Sequence, residues 1–295
     1  MTRLRAALAL LLTAAIVGAV AVVLADGRAD RGDVTVFGAT VASRPGESAT
    51  AAAERASREI GTPPIVRLFS SSRPEPWPKI TGLAGSADVV VSFKVAPREV
   101  LDGDVDAYLR DWFAQAPTDR DVYWVYFHEP EDDIERGAFT ADEFVRAWEH
   151  IDRIADKAHS PRLISTVVLM CWTARADSTR RWSAYVPGDP PDVLAWDCYN
   201  AAARDGEYAS PAAILDASQQ LSGRAGSAWA IAELGSKLAV GDDGSGRAQW
   251  LREVASYSRR NDAAFVTYFN SSVGGEFELE DAPSQRAWRE IMARH

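Results

Sequence analysis

Residues 122–130 read VYWVYFHEP, and this stretch decides the fold class. Its first six residues are all apolar or aromatic, so the run does not alternate between apolar and polar positions. Parallel strands that are covered on both faces have this near-continuous pattern. The stretch therefore predicts a buried parallel strand whose carboxyl end carries His128 and Glu129.

Seven further runs of the same kind recur along the chain, and the spacing of their starts leaves room for a crossover helix between each pair. The segments between them carry helical signals, the clearest in Thr140–His159, where Thr140 and Glu143 form a capping box. The seven runs are Val34–Thr40, Pro64–Phe69, Asp88–Val95, Leu163–Met170, Val193–Tyr199, Ala228–Leu234 and Ala264–Asn270.

This alternation of strand and helix predicts an α/β fold, a (β/α)8 TIM barrel that forms a single domain over residues 34–295. A doubly wound open sheet also alternates strand and helix, and it is the competing prediction. No G-x-G-x-x-G motif follows the first strand, which weakens the nucleotide-binding form of that alternative. In a barrel, the active site lies at the carboxyl ends of the strands.

Residues 1–33 are predicted to be a leader and not part of the fold. Arg3 and Arg5 precede an uncharged run from Ala6 to Ala25, the pattern of a secretory signal peptide. The run is also long enough to cross a bilayer, so a retained membrane anchor is an equal alternative. Both interpretations place the remaining chain outside the cytoplasm, either secreted or held at the membrane by this segment alone.

Charge excludes one class of partner. The 295 residues include 32 Lys and Arg against 42 Asp and Glu, a net charge of −10 at pH 7. A nucleic-acid-binding surface needs a basic excess, so nucleic acid is not the expected partner. The four histidines form no metal-binding pattern, and we expect neither a metal nor an organic cofactor. The acidic run 131–133 could bind calcium, but a solvated acidic loop is the favoured interpretation.

The two cysteines, Cys171 and Cys198, end the fifth and sixth predicted strands, which are neighbours in a barrel. In an oxidising compartment they could form a disulfide. Two buried thiols are the alternative. Two cysteines are too few for a disulfide-dense scaffold or a four-cysteine zinc site.

Two glutamates carry the predicted chemistry. Glu129 ends the fourth strand and Glu233 ends the seventh, so both are expected at the barrel mouth. Two carboxyl groups that flank a glycosidic bond can act as acid and nucleophile in glycoside hydrolysis. We expect Arg67 and the hydroxyl of Tyr199 near Glu233 to keep it ionised. An aromatic surrounding and the charge of Glu233 should raise the pKa of Glu129.

The motifs around these glutamates resemble those of the retaining barrel glycosidases of clan A. The residues concerned are Phe127-His128-Glu129-Pro130 and Ala232-Glu233-Leu234-Gly235. A histidine before the acid/base is most similar to family 26, which includes β-mannanases. The resemblance implies that Glu129 is the acid/base, that Glu233 is the nucleophile, and that His128 orients the substrate. It also implies that Tyr199 hydrogen-bonds the nucleophile.

Several other side chains at strand ends are predicted to bind the substrate, since an aromatic ring suits the apolar face of a sugar. Trp172 is the preferred platform, whereas Trp77, which lies between two prolines, is as readily explained as packing for a loop. The predicted substrate-binding set is Arg67, His128, Trp172, Tyr199, Phe269 and Asn270.

The sequence thus predicts a monomeric, extracytoplasmic retaining glycoside hydrolase that cleaves a β-linked polysaccharide or oligosaccharide of the β-mannan or β-glucan type. Two alternatives stay open: a non-catalytic carbohydrate-binding barrel, and a transglycosylase acting on an exopolysaccharide. A separation of the two glutamate carboxyls well beyond about 10 Å would favour binding alone.

Overall fold

The structure is a computed structural model that describes residues 34–200 and 206–294. The predicted leader, residues 1–33, lies outside the described residues, so the signal peptide and the membrane anchor both stay predictions. Within the described ranges, no helix combines the length and the apolar character that crossing a membrane requires.

The eight strands of the sheet correspond to the eight predicted runs, with shifts of a few residues at their ends. They are β1 (Val36–Val41), β2 (Ile65–Ser70), β3 (Asp88–Phe93), β4 (Val122–Tyr126), β5 (Leu163–Met170), β6 (Val193–Asn200), β7 (Ala228–Ser236) and β8 (Phe265–Asn270).

Helices occupy every connection between the strands, and one more follows β8. They are α1 (Ala49–Ile60), α2 (Trp77–Ala84), α3 (Pro97–Leu101), α4 (Asp106–Ala114), α5 (Pro130–Glu135), α6 (Ala141–Ala155), α7 (Cys171–Ala174), α8 (Pro211–Ala225), α9 (Ser245–Arg260) and α10 (Ala282–Met292). The predicted capping box is present at the start of α6, where Thr140 and Glu143 bond reciprocally. Two single-turn 3₁₀ helices, Asp156–Ala158 and Trp182–Ala184, complete the described elements.

The strands form one closed barrel in chain order, and each neighbouring pair is parallel. The barrel closes where β1 pairs with β8, from Val36 opposite Phe265 to Val41 opposite Asn270. Each connection is long enough to return along the outside of the barrel, as a parallel pair requires. The predicted (β/α)8 barrel is confirmed, and the open-sheet alternative is wrong.

Both faces of the sheet are covered, which explains the continuous apolar runs. Tyr123 points into the barrel and contacts Phe265, with ring centroids 4.6 Å apart. The next residue, Trp124, points outward and stacks on Trp148 of α6 at 5.2 Å. Successive strand residues face opposite sides of a sheet, so a strand that packs on both sides carries apolar residues at every position.

Most tryptophans belong to the packing between barrel and helices. Trp112, Trp148, Trp250 and Trp288 are all buried, as their helical spacing predicts. Trp77 is buried as well, and it stacks on Trp112 with ring centroids 4.5 Å apart. Its indole N–H donates to the Trp112 carbonyl oxygen at 2.7 Å. Trp77 is therefore a packing residue and not a sugar platform.

Candidate active site

Three carboxylates converge at the carboxyl ends of the strands. One oxygen from each of Glu129, Asp197 and Glu233 lies within 4.8 Å of the other two. The structure thus brings together the two glutamates that the sequence singled out, at the end of the barrel where active sites lie. It adds Asp197 of β6, which was not among the predicted site residues.

A bulge in β7 aims Glu233 into the barrel. Ala230 and Ala232 both lie in the barrel interior, so simple alternation would turn Glu233 outward. Instead, the register of β7 on β6 shifts: Ile231 lies opposite Trp196, while Glu233 lies opposite Asp197. A bulge of this kind places one extra residue in a strand and re-aims the side chains that follow it. Glu233 consequently lies beside Asp197 on the inner face.

Arg67 joins two of the carboxylates. Its side chain is completely buried, and its guanidinium donates to the Asp197 oxygens at 2.7 and 3.4 Å. The same Nη1 atom lies 3.4 Å from Glu233 Oε1. Burial raises the pKa of Asp197, and the Arg67 charge opposes that effect. Arg67 therefore supplies the positive charge that these buried acids need.

Tyr199 donates its hydroxyl hydrogen to Glu233 Oε2. Asp197 and Tyr199 are two residues apart on β6, so they share the inner face of the barrel. Burial and the neighbouring Glu233 charge raise the pKa of Tyr199 well above its usual range, which keeps the hydroxyl protonated. Glu233 thus has a hydrogen-bond donor on one oxygen and a guanidinium near the other, as the sequence predicts.

Glu129 has the opposite environment. Burial raises its pKa to about 7, and the charge of Glu233 adds to the effect, while Arg67 and Lys94 oppose it. The carboxyl group therefore still carries its proton in about half of the molecules at pH 7. The backbone of Glu129 lies in the left-handed region at φ 49, and its N–H donates to the Val168 carbonyl oxygen at 3.0 Å.

His128 is held between two left-handed residues, because Phe127 also has φ 49. Its ring contacts Phe69 edge-on, with centroids 5.1 Å apart. Burial lowers the pKa of His128 well below its usual range, and the charges of Arg67 and Lys94 lower it further, so the imidazole is neutral. Its Nδ1 atom is buried and has no hydrogen-bond partner among the described residues.

A cavity of about 640 Å³ opens beside Glu129, between the ends of β5 and β6. Trp172 lines it with 45% of its surface exposed, and Tyr199 lines it from the adjoining strand. Cys171 also faces the cavity and forms a disulfide with Cys198, with the two Cα atoms 5.0 Å apart.

The remaining predicted residues lie at the end of β8 and differ in role. Phe269 contacts the ring of Tyr199 edge-on at 6.1 Å, which places it at the site. Asn270 is 1% exposed, and its Oδ1 accepts a hydrogen bond from the Leu279 N–H at 2.9 Å. Because β8 alternates, Asn270 faces away from the side that Phe269 occupies. The structure gives Asn270 a contact to the following loop and none to the carboxylates.

The acidic run after Glu129 does not converge on a point where a cation could bind. Asp132 pairs with Arg180, and Asp133 lies 2.8 Å from Arg136. Glu131 is completely buried, and its Oε1 accepts hydrogen bonds from the Met170 N–H at 2.9 Å and the Thr173 hydroxyl at 2.7 Å. The solvated-loop prediction is therefore wrong for Glu131.

Among the described residues, the three central carboxylates are the group best placed to hold a metal ion. Arg67 already contacts two of the three, at 2.7 and 3.4 Å. The Arg67 guanidinium thus supplies the positive charge next to Asp197 and Glu233 that a bound metal ion would otherwise supply.

Comparison with known proteins finds the same architecture. No protein-family model matches the chain, and no curated protein resembles it in sequence. An endo-β-1,4-mannanase from Cellulomonas fimi, of glycoside hydrolase family 26, superposes with a TM-score of 0.57. It is 16% identical, and the match covers 91% of this chain and 72% of that one. The fold is that of the family 26 mannanases.

Two further solved structures extend the likeness. A family 26 β-mannanase from Bacteroides ovatus is 11% identical, with a TM-score of 0.53, and the match covers 89% of this chain and 86% of that one. A glucosidase from Croceicoccus marinus is 13% identical, with a TM-score of 0.61, and the match covers 88% and 65% of the two chains. The predicted resemblance to family 26 is confirmed at the level of the fold.

Proposed function

We propose that the protein is a retaining glycoside hydrolase that cleaves a β-linked polysaccharide of the β-mannan or β-glucan type. The observation that carries the proposal is the approach of Glu129 and Glu233 oxygens to within 4.8 Å. Retaining glycosidases keep their two carboxyls about 5–5.5 Å apart, whereas inverting enzymes separate them by about 6.5–9.5 Å. A binding-only barrel has no need of this proximity.

The environments of the two glutamates support a double displacement. In the first step, Glu129 gives its proton to the glycosidic oxygen while a Glu233 oxygen attacks the anomeric carbon, and the C–O bond to the leaving group breaks. In the second step, Glu129 takes a proton from water, whose oxygen attacks the same carbon and releases Glu233. Glu129 suits these roles because its pKa of about 7 lets it give and regain a proton near neutrality.

Tyr199 and Arg67 support Glu233 in this scheme. The Tyr199 hydroxyl and the Arg67 guanidinium stabilise negative charge on the attacking carboxylate and fix its direction. Phe269 and Trp172 offer aromatic surfaces to sugar rings on the two sides of the site. His128, neutral and close to Phe69, offers a ring nitrogen that can hydrogen-bond a sugar hydroxyl. The reaction needs no metal or organic cofactor.

The proposal includes a place of action outside the cytoplasm. It rests on the basic and apolar pattern of residues 1–33, and the Cys171–Cys198 disulfide supports it because such bonds persist in oxidising compartments. We propose that the chain acts there as a monomer, either secreted or tethered by its first segment.

A screen of β-mannans and β-glucans with product analysis tests the activity. Glu233→Ala and Glu129→Gln should each abolish hydrolysis without unfolding the protein, and Glu54→Gln, on the exposed face of α1, is the matched control. Proton NMR of the first products should show the β-anomer. Full activity in either site variant would refute the assignment, and products longer than the substrate would indicate transglycosylation.

A further inference from the structure

Glu131 is a buried acid that the proposed double displacement does not use. It lies in the first turn of α5, two residues after Glu129, and it is completely buried. Its Oε1 accepts hydrogen bonds from the Met170 N–H at 2.9 Å and the Thr173 hydroxyl at 2.7 Å. Its Oε2 is buried and has no hydrogen-bond partner among the described residues. Because burying a carboxyl group costs free energy, packing alone would be served better by an apolar side chain.

The Glu131 carboxylate continues the attachment of this segment to β5. The paired part of β4 ends before Glu129, whose N–H still donates to the Val168 carbonyl oxygen at 3.0 Å. In a continued parallel ladder, the Met170 N–H would donate to a backbone carbonyl of the neighbouring strand. The left-handed backbone of Glu129 ends the ladder at this point, and the Glu131 side chain accepts the Met170 bond instead.

Two hydrogen bonds thus hold the segment of the acid against β5, one through the Glu129 backbone and one through the Glu131 side chain. A residue other than glycine stays in the left-handed region only where its surroundings hold it there. We propose that Glu131 is a positioning residue, whose carboxylate holds the left-handed turn of Glu129 against β5 so that the acid stays beside Glu233. The inference rests on the proposed hydrolase function and adds to it a residue that acts through the acid.

The charge of Glu131 acts on Glu129 as well. Burial is the largest cause of the raised pKa of Glu129, and the charges of Glu233 and, more weakly, Glu131 add to it. Loss of the Glu131 charge should therefore lower the pKa of Glu129. The charged and titratable groups that interact with Glu129 are Arg67, Lys94, Glu131, Asp197, Tyr199 and Glu233.

The surroundings of Glu131 favour its ionised form in part. Burial raises the pKa of Glu131, whereas the hydrogen bonds from Thr173 and Met170 and the charge of Arg180 oppose that effect. Burial and the Glu131 charge raise the pKa of Tyr185, so this neighbouring hydroxyl keeps its proton. Glu131 can therefore supply negative charge to the acid in addition to a hydrogen-bond acceptor.

Two substitutions separate the hydrogen bonds of Glu131 from its charge. Glu131→Gln keeps an oxygen that can accept from Met170 and Thr173 but removes the charge. Glu131→Met removes both at a similar side-chain volume. Glu135→Gln, the same substitution at an exposed position of α5, is the matched control. Circular dichroism checks folding, and if Glu131→Met does not fold, Glu131→Gln decides alone through the pH profile.

The first measurement compares a substrate that needs the acid with one that does not. β-1,4-Mannotetraose or cellotetraose, whichever wild type cleaves, has a leaving group that needs a proton, whereas the matching dinitrophenyl glycoside does not. Glu131→Met should lower kcat/KM for the tetrasaccharide by roughly ten- to a hundredfold, because the acid is displaced. It should change the aryl glycoside by less than about twofold, since that reaction does not use the acid. Equal losses on both substrates, or an unchanged tetrasaccharide rate, would overturn the inference.

The second measurement is the pH profile of kcat/KM. In Glu131→Gln the alkaline midpoint should fall below the wild-type value of about 7 by a few tenths of a pH unit, because a nearby negative charge favours the neutral acid. Glu135→Gln should leave the midpoint in place. At pH 5.5, Glu131→Gln should keep kcat/KM for the tetrasaccharide within about threefold of wild type, since its hydrogen bonds remain. An unchanged or raised midpoint, or a loss at pH 5.5 as large as that of Glu131→Met, would refute the inference.

Amide hydrogen exchange separates this inference from the proposed function, because it does not depend on hydrolysis. If wild-type protein cleaves neither substrate, the hydrolase proposal fails. The Glu129 amide should still exchange roughly ten- to a hundredfold faster in Glu131→Met than in wild type, because the turn has lost its second attachment. Its rate in Glu131→Gln should match wild type, and ¹³C NMR of labelled glutamate should show the lowered pKa of Glu129. Equal Glu129 exchange in wild type and Glu131→Met, or an unchanged pKa in Glu131→Gln, would refute the inference whatever the activity.

Discussion

The proton on Glu129 should govern activity above neutral pH. With a pKa of about 7, roughly nine-tenths of the molecules carry the proton at pH 6 and about one-tenth at pH 8. A profile of kcat/KM against pH should therefore fall on its alkaline side with a midpoint near 7. In Glu233→Gln, ¹³C NMR of labelled glutamate should show a lower pKa for Glu129. That pKa should stay above 4.5, because burial is the larger cause.

The raised pKa of Glu129 also predicts that the free energy of unfolding depends on pH, and the sign of this dependence follows from proton linkage. An unfolded glutamate titrates near 4.5, whereas folded Glu129 titrates near 7. Between these values the folded state holds the proton that the unfolded state has lost, so the free energy of unfolding falls as pH rises. The total change is about 3 kcal/mol, at 1.36 kcal/mol for each pKa unit. Glu129→Gln does not titrate and should lack this decrease.

Chemical denaturation of wild type and Glu129→Gln at pH 4.5 and pH 7.5 checks this prediction. Other buried acids, such as Asp197 and Glu131, also have raised pKa values and are present in both proteins. The charge of Glu129 helps to raise the pKa of Asp197, so the difference between the two proteins includes the response of Asp197 to the substitution. A difference between the two proteins that does not change with pH would refute the assigned pKa. In the pH profile of kcat/KM, an alkaline midpoint above about pH 9 would refute the role of Glu129 as the acid.

Three further predictions concern residues around the carboxylate cluster. Tyr199→Phe removes a hydrogen bond to a charged group, worth about 1.5–3 kcal/mol, so kcat/KM should fall by roughly ten- to a hundredfold; an unchanged rate would exclude its support of the nucleophile. Arg67→Met leaves buried carboxylates unpaired and should lower the free energy of unfolding by about 3–5 kcal/mol in urea titrations. Adding Asp197→Asn should recover part of that loss, and no recovery would contradict the pairing. Replacing both Cys171 and Cys198 by alanine opens a loop with a sequence separation of 27 and should lower the free energy of unfolding by about 3.5 kcal/mol. Equal denaturation midpoints for the reduced and the oxidised wild-type protein would contradict this stabilisation by the disulfide.

The barrel could be predicted from sequence because each strand is covered on both faces. That burial leaves a continuous apolar run, and Leu163–Met170 has the same bounds in the prediction and in the structure. The sequence predicts that the fourth strand runs from Val122 to His128, whereas β4 ends at Tyr126, because Phe127 and Glu129 adopt positive φ. Hydrophobic pattern carries no information on that backbone choice.

Site residues could be predicted from the rule that the carboxyl ends of the barrel strands carry the active site. Glu129, Arg67 and Tyr199 reach the carboxylate cluster by this rule. Glu233 reaches it only through the bulge in β7, which depends on the pairing with β6 and leaves no mark in the sequence of β7 alone.

The differences from expectation have related causes. Asp197 follows the strand-end rule but has no role in the prediction, because its pairing with Arg67 across the barrel cannot be read from the sequence of β6 alone. Asn270 follows the strand-end rule but falls on the other face of β8 from Phe269. Glu131 has the sequence pattern of a solvated acidic run, yet its side chain is buried and accepts hydrogen bonds from Met170, at the end of β5, and Thr173, in α7.

The left-handed backbone of Glu129 bears on how this protein could be engineered. A side chain in that conformation costs on the order of 1–2 kcal/mol, a penalty that glycine avoids and asparagine reduces. Replacing Glu129 by either residue would also remove a buried acid. Directed evolution that selects for heat resistance alone would therefore favour loss of this glutamate, and a library intended to keep turnover should hold position 129 fixed.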